Sequence, residues 1–233
     1  MVFVTGDVHG DLERFKTPNA KKLRKGDTLL VCGDFGFLWN GGKEEQKALK
    51  KLESKKYDIC FVDGTHENFH MLNHYEVSEW NGGKVHRIAG NIYHLMRGQV
   101  YNIEGLRVFT MGGGESPDID IRMNDDTWFP EENPNQQELL AGADNLGKLG
   151  NEVDIIITHE PSAKVKEFLQ MKLPDKVRTT LLNTYFEELS NAVDYQKWYF
   201  GSLHMDKHVS GTQVAVFQDI LEVQSGKPIA AVR

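Results

Sequence analysis

Asp7 and His9 stand two residues apart at the end of an apolar run, Val2-Phe3-Val4-Thr5, and are framed by Gly6 and Gly10. A carboxylate and an imidazole are both ligands for borderline divalent metals. Alternation in extended backbone turns residues two apart to the same side, so the pair can reach one ion, and the glycines let backbone and substrate come close. Taken alone, the segment is equally a buried strand with a capping Asp and an incidental His.

The same grammar recurs down the chain. Leu29 to Cys32 runs into Gly33-Asp34, and Ile59 to Val62 runs into Asp63-Gly64-Thr65-His66-Glu67-Asn68. Val153 to Thr158 delivers His159, and Trp198 to Phe200 runs into Gly201-Ser202-Leu203-His204. Five strand ends therefore converge on one rim, and in open α/β sheets sites gather outside the carboxyl ends of strands. The set Asp7, His9, Asp34, His159 and His204 suits one or two divalent ions of manganese, iron, zinc or nickel, manganese first among them.

In order and content these motifs resemble those of the calcineurin-like metallophosphoesterases: Asp-x-His, Gly-Asp, Gly-Asn-His-Glu, a strand-end His, then Gly-His-x-His, spanning Asp7 to His204. The resemblance implies that Asp7, His9, Asp34 and His204 hold a first ion. It also makes Asp34 the bridging carboxylate, with Asp34 and His159 at the second ion. His66 matches the residue facing the leaving-group oxygen, where an imidazole titrating near neutrality can donate a proton. Two positions depart from the pattern. Thr65 stands where the family has a metal-ligating Asn, and Ser202 where it has the first His of the last motif. Hydroxyl oxygen is the weaker ligand for such ions, so the expectation is one tight ion and one weak, with Glu160 or Asp206 as substitute ligands. The stretches 111–118 and 128–132 resemble an insertion of small bacterial and phage members.

Several neighbours of the motifs have two readings. Thr65 also suits the N-cap of a helix running through Met71, with Glu67 in its first turn. Asp63 either orients His66 or caps a turn. Phe35 to Gly42 is too apolar for an idle surface loop, and either lines the pocket or packs on the helix that follows. Arg97, Arg107 and Arg122 are the arginines to test as phosphate contacts, because a guanidinium offers two parallel donors. His70, His74, His86, His94 and His208 fall outside any ligand pattern and read as structural or surface residues.

The elements that must position these groups follow from periodicity. Helices are expected over 43–56, where Ala48, Leu49 and Leu52 form an apolar stripe, over 133–149 entered through Pro134, and over 162–170 and 175–190. Residues 85–114 read as short strands building a second sheet, with 100–103 and 106–110 forming a hairpin around Glu104-Gly105. Residues 196–201 form the last motif strand, and 212–218 pair beyond it. Gly112, Gly113 and Gly114 lack a following Lys-Ser or Lys-Thr, which argues for a rim turn over a P-loop. Periodicity alone gives an α/β protein with a strand-end site; the resemblance implies two mixed β-sheets packed face to face with flanking helices.

A chain of 233 residues, 39% hydrophobic and 26% charged, is expected to form a single domain over 1–233. No stretch has the apolar length of a membrane span. The start runs straight into the first motif without a basic region or cleavage site, so a cytoplasmic location is the default. Cys32 and Cys60 lie in strands and read as buried, reduced thiols. A net charge of −7 argues against a broad nucleic-acid footprint, and the lysines of 43–56 read as a solvated helix face. The expected activity is metal-dependent hydrolysis of a phosphoric ester on a small phosphorylated substrate or a phosphoprotein, with nucleic acid entering only as substrate and no membrane partner. The alternatives are a nuclease or cyclic-nucleotide phosphodiesterase on the same scaffold, and a binding module with an impaired second metal site.

Overall fold

The computed structural model describes residues 1–171 and 178–232. Its strands in chain order are β1 (Val2–Thr5), β2 (Thr28–Val31), β3 (Asp58–Phe61), β4 (Val77–Trp80), β5 (Gly83–Ala89), β6 (Ile92–Leu95) and β7 (Gln99–Ile103). They continue with β8 (Leu106–Met111), β9 (Glu152–Thr158), β10 (Asp194–Phe200), β11 (Lys207–His208), β12 (Gln213–Ala215) and β13 (Leu221–Glu222). One sheet has the order β13-β1-β2-β3-β6-β5-β4 and the other β11-β12-β10-β9-β8-β7. Both are mixed: β1, β2, β3 and β6 run parallel, as do β8, β9, β10 and β12, with antiparallel strands at the margins.

Alternation along the motif strands builds three apolar layers. Val2, Val4, Leu30, Cys32, Cys60 and Val62 face Ile155, Ile157, Tyr199 and Val214 across the space between the sheets. Phe3, Leu29, Val31, Ile59 and Phe61 point the other way, onto Ala48 and Leu52 of helix α1 (Lys43–Glu53). On the second sheet Phe109, Ile156, Trp198 and Phe200 turn outward, and three further helices cover them. These are α4 (Gln136–Gly147), α5 (Ala163–Gln170) and α6 (Leu181–Ala192), preceded in the chain by the short α2 (Phe69–Leu72) and α3 (Ile119–Asn124). Burial on both faces is why the motif strands read as unbroken apolar runs. Cys32 and Cys60 are both buried free thiols on the inner layer.

Several expectations change in detail. Of the strands in 85–114, only β7 and β8 join the second sheet, whereas β5 and β6 extend the first. The hairpin turn is Glu104-Gly105, both at positive φ (53° and 83°), as a two-residue primed turn requires. Pro134 lies before α4, whose N-cap is Asn135 in a capping box with Glu138. Likewise α2 is capped by Asn68, which accepts from Met71 N–H, so Thr65 is no cap. Residues 175–177 of the expected 175–190 helix lie outside the described residues, and α6 begins at Leu181 behind its N-cap Thr180. The apolar loop after Asp34 is packing: Phe35 stacks on Phe61 at 4.2 Å, and Phe37 and Leu38 are buried beside α1. Among the described residues no helix is long and apolar enough to cross a membrane.

Candidate metal centre

Strands β1, β2 and β3 of one sheet and β9 and β10 of the other all end at one rim, and the loops beyond them carry the six motif side chains. These turns are abrupt. His9, Asp34, Ser202 and His204 all have positive φ, between 44° and 61°, a region that Asp and His visit more readily than most side chains but that still costs energy. Glycine is needed where the site is tightest. A Cβ on Gly201 would stand 2.0 Å from Asp7 Oδ1, one on Gly64 2.1 Å from Asp34 Oδ1, and one on Gly33 2.1 Å from His159 Nδ1. The glycines flanking the motifs thus leave room for the ligand side chains themselves.

Asp7 and Asp34 are buried, 1% and 2% exposed, which is costly for two neighbouring carboxylates unless cations or donors face them. Ser202 N–H donates to both oxygens of Asp7 at 3.2 and 3.1 Å, and His204 Nε2 lies 3.1 Å from Asp7 Oδ2. His9 Nε2 lies 3.0 Å from His204 Nε2, so two imidazole nitrogens and a carboxylate oxygen converge. Asp34 faces three rings, with Oδ2 3.1 Å from His66 Nδ1 and 3.7 Å from His9 Nε2, and Oδ1 3.8 Å from His159 Nε2. His159 Nδ1 donates to the Cys32 carbonyl at 3.0 Å. That bond fixes the ring and turns Nε2 toward Asp34, the usual support for an imidazole ligand.

The electrostatics follow this geometry. Burial raises the carboxyls of Asp7 and Asp34, but the facing imidazoles outweigh it, His159 foremost, and both stay below the usual carboxylate range. Burial also opposes charge on His159, yet Asp34 and Asp7 hold it well above the ordinary imidazole value. His204 is raised chiefly by its hydrogen bond to Asp7, and His66 by its hydrogen bond to Asp34. Burial lowers His9.

Three trios bring ligand atoms within 4.8 Å of one another: Asp7, His9, His204; His9, Asp34, His66; and Asp7, Asp34, His159. A buried carboxylate pair ringed by imidazoles, each with a nitrogen turned inward, fits divalent cations of the borderline class. Asp7, His9 and His204 form one such trio, and His9 and Asp34 share the next with His66. Beside the trio of Asp7, Asp34 and His159, the two departing hydroxyls have other partners: Thr65 Oγ1 is bonded to His66 Nδ1 (3.1 Å) and Ser202 Oγ donates to Glu160 Oε1 (2.6 Å). Glu160 lines the adjoining cavity of about 150 Å³, together with Asp34, His66, His159 and Lys166. Asp206 is elsewhere, accepting the backbone N–H groups of Phe217, Gln218 and Asp219, and is no substitute ligand.

The three arginines singled out as phosphate contacts are committed to other partners. Arg97 binds Asp63 at 2.6 and 2.9 Å and Glu138 at 3.1 Å. Arg107 pairs with Glu152 and Asp154 near the start of β9. Arg122 is buried on α3, where it donates to the Thr65 carbonyl, the Ser116 hydroxyl and the Thr127 carbonyl and faces Glu132. Asp63 neither orients His66 nor caps a turn with its side chain. It accepts from His94 and Arg97, beside a separate cavity of about 420 Å³ that also touches His86.

Sequence reasoning missed Lys166 and Asn183. Both are buried, and both bond the Glu160 carboxylate. The one signal for Lys166 is its place beside the Val165 and Leu169 face of α5, where a polar residue reads by default as a flank reaching solvent.

The family model for calcineurin-like phosphoesterases matches residues 1–216. Comparison with curated proteins finds no match. Among solved structures, phosphopantetheinyl hydrolase from Mycobacterium tuberculosis is similar with a TM-score of 0.43 at 13% identity, over 93% of this chain and 89% of that one.

Proposed function

The chain belongs to the calcineurin-like phosphoesterases, a family of metal-dependent phosphoester hydrolases, and we propose that it hydrolyses a phosphoric ester with one tightly held and one weakly held divalent ion, manganese favoured. The observation that carries this reading is the convergence of Asp7, His9, Asp34, His66, His159 and His204 on one rim, with ligand atoms in trios within 4.8 Å.

Asp7, His9, Asp34 and His204 would hold the first ion, and Asp34 with His159 what remains of the second site. When bound, such ions supply Lewis-acid polarisation of the phosphoryl group and acidify water. The protein's own contribution is to fix these ligands and to move a proton. His66 is anchored through Nδ1 to Asp34, which leaves Nε2 for the cleft. Its hydrogen bond to Asp34 raises its affinity for a proton, which suits the ring to give a proton to the departing oxygen as the ester bond breaks. The carboxylate that positions the acid is therefore one that also serves the ion.

Metal analysis of the purified protein, joined to a panel of phosphomonoesters and phosphodiesters, tests the reading. Metal-dependent turnover of a monoester is the expected result; preference for a diester favours the nuclease or cyclic-nucleotide reading. Metal binding without turnover of either class favours the binding module, which the departures at Thr65 and Ser202 motivate.

A further inference from the structure

We infer that the ammonium group of Lys166 is a built-in phosphoryl-binding cation, placed on the side of the cleft where Thr65 and Ser202 weaken the second ion. The inference rests on the proposed inequality of the two ions.

Lys166 is 2% exposed, yet it lines the cavity of about 150 Å³ shared with Asp34, His66, His159 and His204. Its Nζ donates to Glu160 Oε2 at 2.8 Å and to Asn183 Oδ1 at 3.2 Å. Asn183 Nδ2 in turn donates to Glu160 Oε2 at 3.0 Å, which fixes the amide's orientation. Glu160 Oε1 accepts from Ser202 Oγ at 2.6 Å. The hydroxyl at the departing motif position is thus committed to this network.

An ammonium carries three N–H donors, and two of them have partners among the described residues. A buried ion pair stabilises a fold no better than an apolar pair of the same volume, so fold stability gives little reason to keep a lysine here. A lysine held by two acceptors at the wall of a polar cavity is pre-organised to receive an anionic oxygen as a point charge. The pair with Glu160 leaves no net charge there, so the two observations are joined by place: the poorer ion site and the fixed cation occupy one side of the cleft.

Inorganic phosphate is the probe. Its binding is measured by calorimetry, at one bound manganese per chain, for the unaltered protein, for Lys166→Arg, and for Glu160→Gln with Lys166→Met. The double change removes both charges of the pair and leaves no buried ion unpaired. It is expected to bind phosphate about 10 to 100-fold more weakly with first-ion content unchanged, the range for losing one charge-assisted hydrogen bond, while Lys166→Arg retains most of the affinity. In the unaltered protein labelled with ¹⁵N-lysine, the Nζ signal missing from Lys166→Arg should move on phosphate addition. Unchanged phosphate affinity in the folded double variant, a loss that tracks loss of the first ion, or a stationary Nζ signal each overturns the assignment. Two equally tight ions in the unaltered protein would instead sink the unequal-ion reading, and metal titration reads that separately.

Discussion

Asp34 and His66 grip each other at two points: Asp34 Oδ1 accepts the His66 backbone N–H at 2.8 Å, and Oδ2 lies 3.1 Å from the ring Nδ1. In the proposed function one carboxylate would serve the ion site and the acid together, so the two functions should separate only from the His66 side. His66→Ala should retain metal and lower turnover about 10² to 10⁴-fold on substrates with poor leaving groups, the usual weight of a general acid, and less on activated aryl phosphates. Asp34→Asn should lose both metal and turnover. Equal losses on good and poor leaving groups in His66→Ala, with metal retained, would remove His66 from the acid role.

The imidazoles give opposite pH dependences with and without metal. His159 is held above its ordinary value of 6.5 by Asp34 and Asp7, against the opposing effect of burial. A raised folded-state value stabilises the fold fully below the unfolded value and is lost as pH rises through the folded one. The metal-free protein should therefore melt at falling temperature as pH climbs above neutrality, when buried Asp7 and Asp34 lose their cationic neighbour. Ion binding needs neutral imidazoles, so metal affinity should rise over the same range, with proton release. Calorimetry in buffers of different ionisation enthalpy checks the release, and melting with and without chelator checks the stability. A metal-free melting temperature that rises above pH 7 would contradict the assignment.

His86 should titrate with the reverse sign. Burial, with His94 beside it, lowers His86 to about 4 from an ordinary value of 6.5. A lowered imidazole stabilises the fold above the unfolded value and loses that contribution as pH falls toward the folded one. His86→Gln should flatten the acid limb of the stability profile between roughly pH 6.5 and 4, as read by denaturant midpoints at stepped pH. An unchanged limb would mean that His86 titrates no lower in the fold than in the unfolded chain.

How much of this was legible beforehand depended on range. The motif strands and their rim were readable because apolar runs broken by glycine are local signals, and the recurrence of ligand residues at five such breaks sets them apart from a single ambiguous pair. The fate of Asp63 was not, because its partners His94 and Arg97 lie 31 and 34 residues away. Arg97, Arg107 and Arg122 looked alike in sequence and all proved to be tied to carboxylates. Helix starts slipped where Asn68 rather than Thr65 caps α2, and where α4 begins behind Asn135 rather than through Pro134. Lys166 was invisible because a lysine next to an apolar stripe is ordinary until the opposing helix places Asn183 against it.

Arg122 ties α3 to the Thr65 backbone, and its removal should be felt in the fold. Arg122 faces fully buried Glu132 and donates to the Thr65 carbonyl. Arg122→Ala leaves a buried carboxylate without its cation, so a loss of about 3 to 5 kcal/mol is expected. Arg122→Met combined with Glu132→Gln should recover most of it. Denaturant unfolding of the three proteins decides, and a single variant within about 0.5 kcal/mol of the unaltered chain would show that α3 is held by other contacts.

The proposed inequality of the two ions makes an ordered prediction, sharpened by where the substituted side chains point. Thr65 Oγ1 sits on the His66 ring and Ser202 Oγ on Glu160, so neither hydroxyl is free to replace the amide or imidazole that the family places there. Supplying those ligands through Thr65→Asn with Ser202→His should tighten the second ion about 10 to 100-fold, the scale on which supporting groups at metal sites act. Lys166, paired with Glu160 at the wall of the same cavity, should still withhold a carboxylate oxygen from that ion. Adding Lys166→Met to the double change frees a Glu160 oxygen, and carboxylate oxygen is a good ligand for manganese. Second-ion affinity should therefore rise in the order unaltered, double, triple, with the first ion unchanged throughout. Manganese titration followed by electron paramagnetic resonance reads both stoichiometry and spin coupling between neighbouring ions. A second ion already as tight as the first in the unaltered protein, or a triple variant no better than the double, would break the argument at its first or its second step respectively.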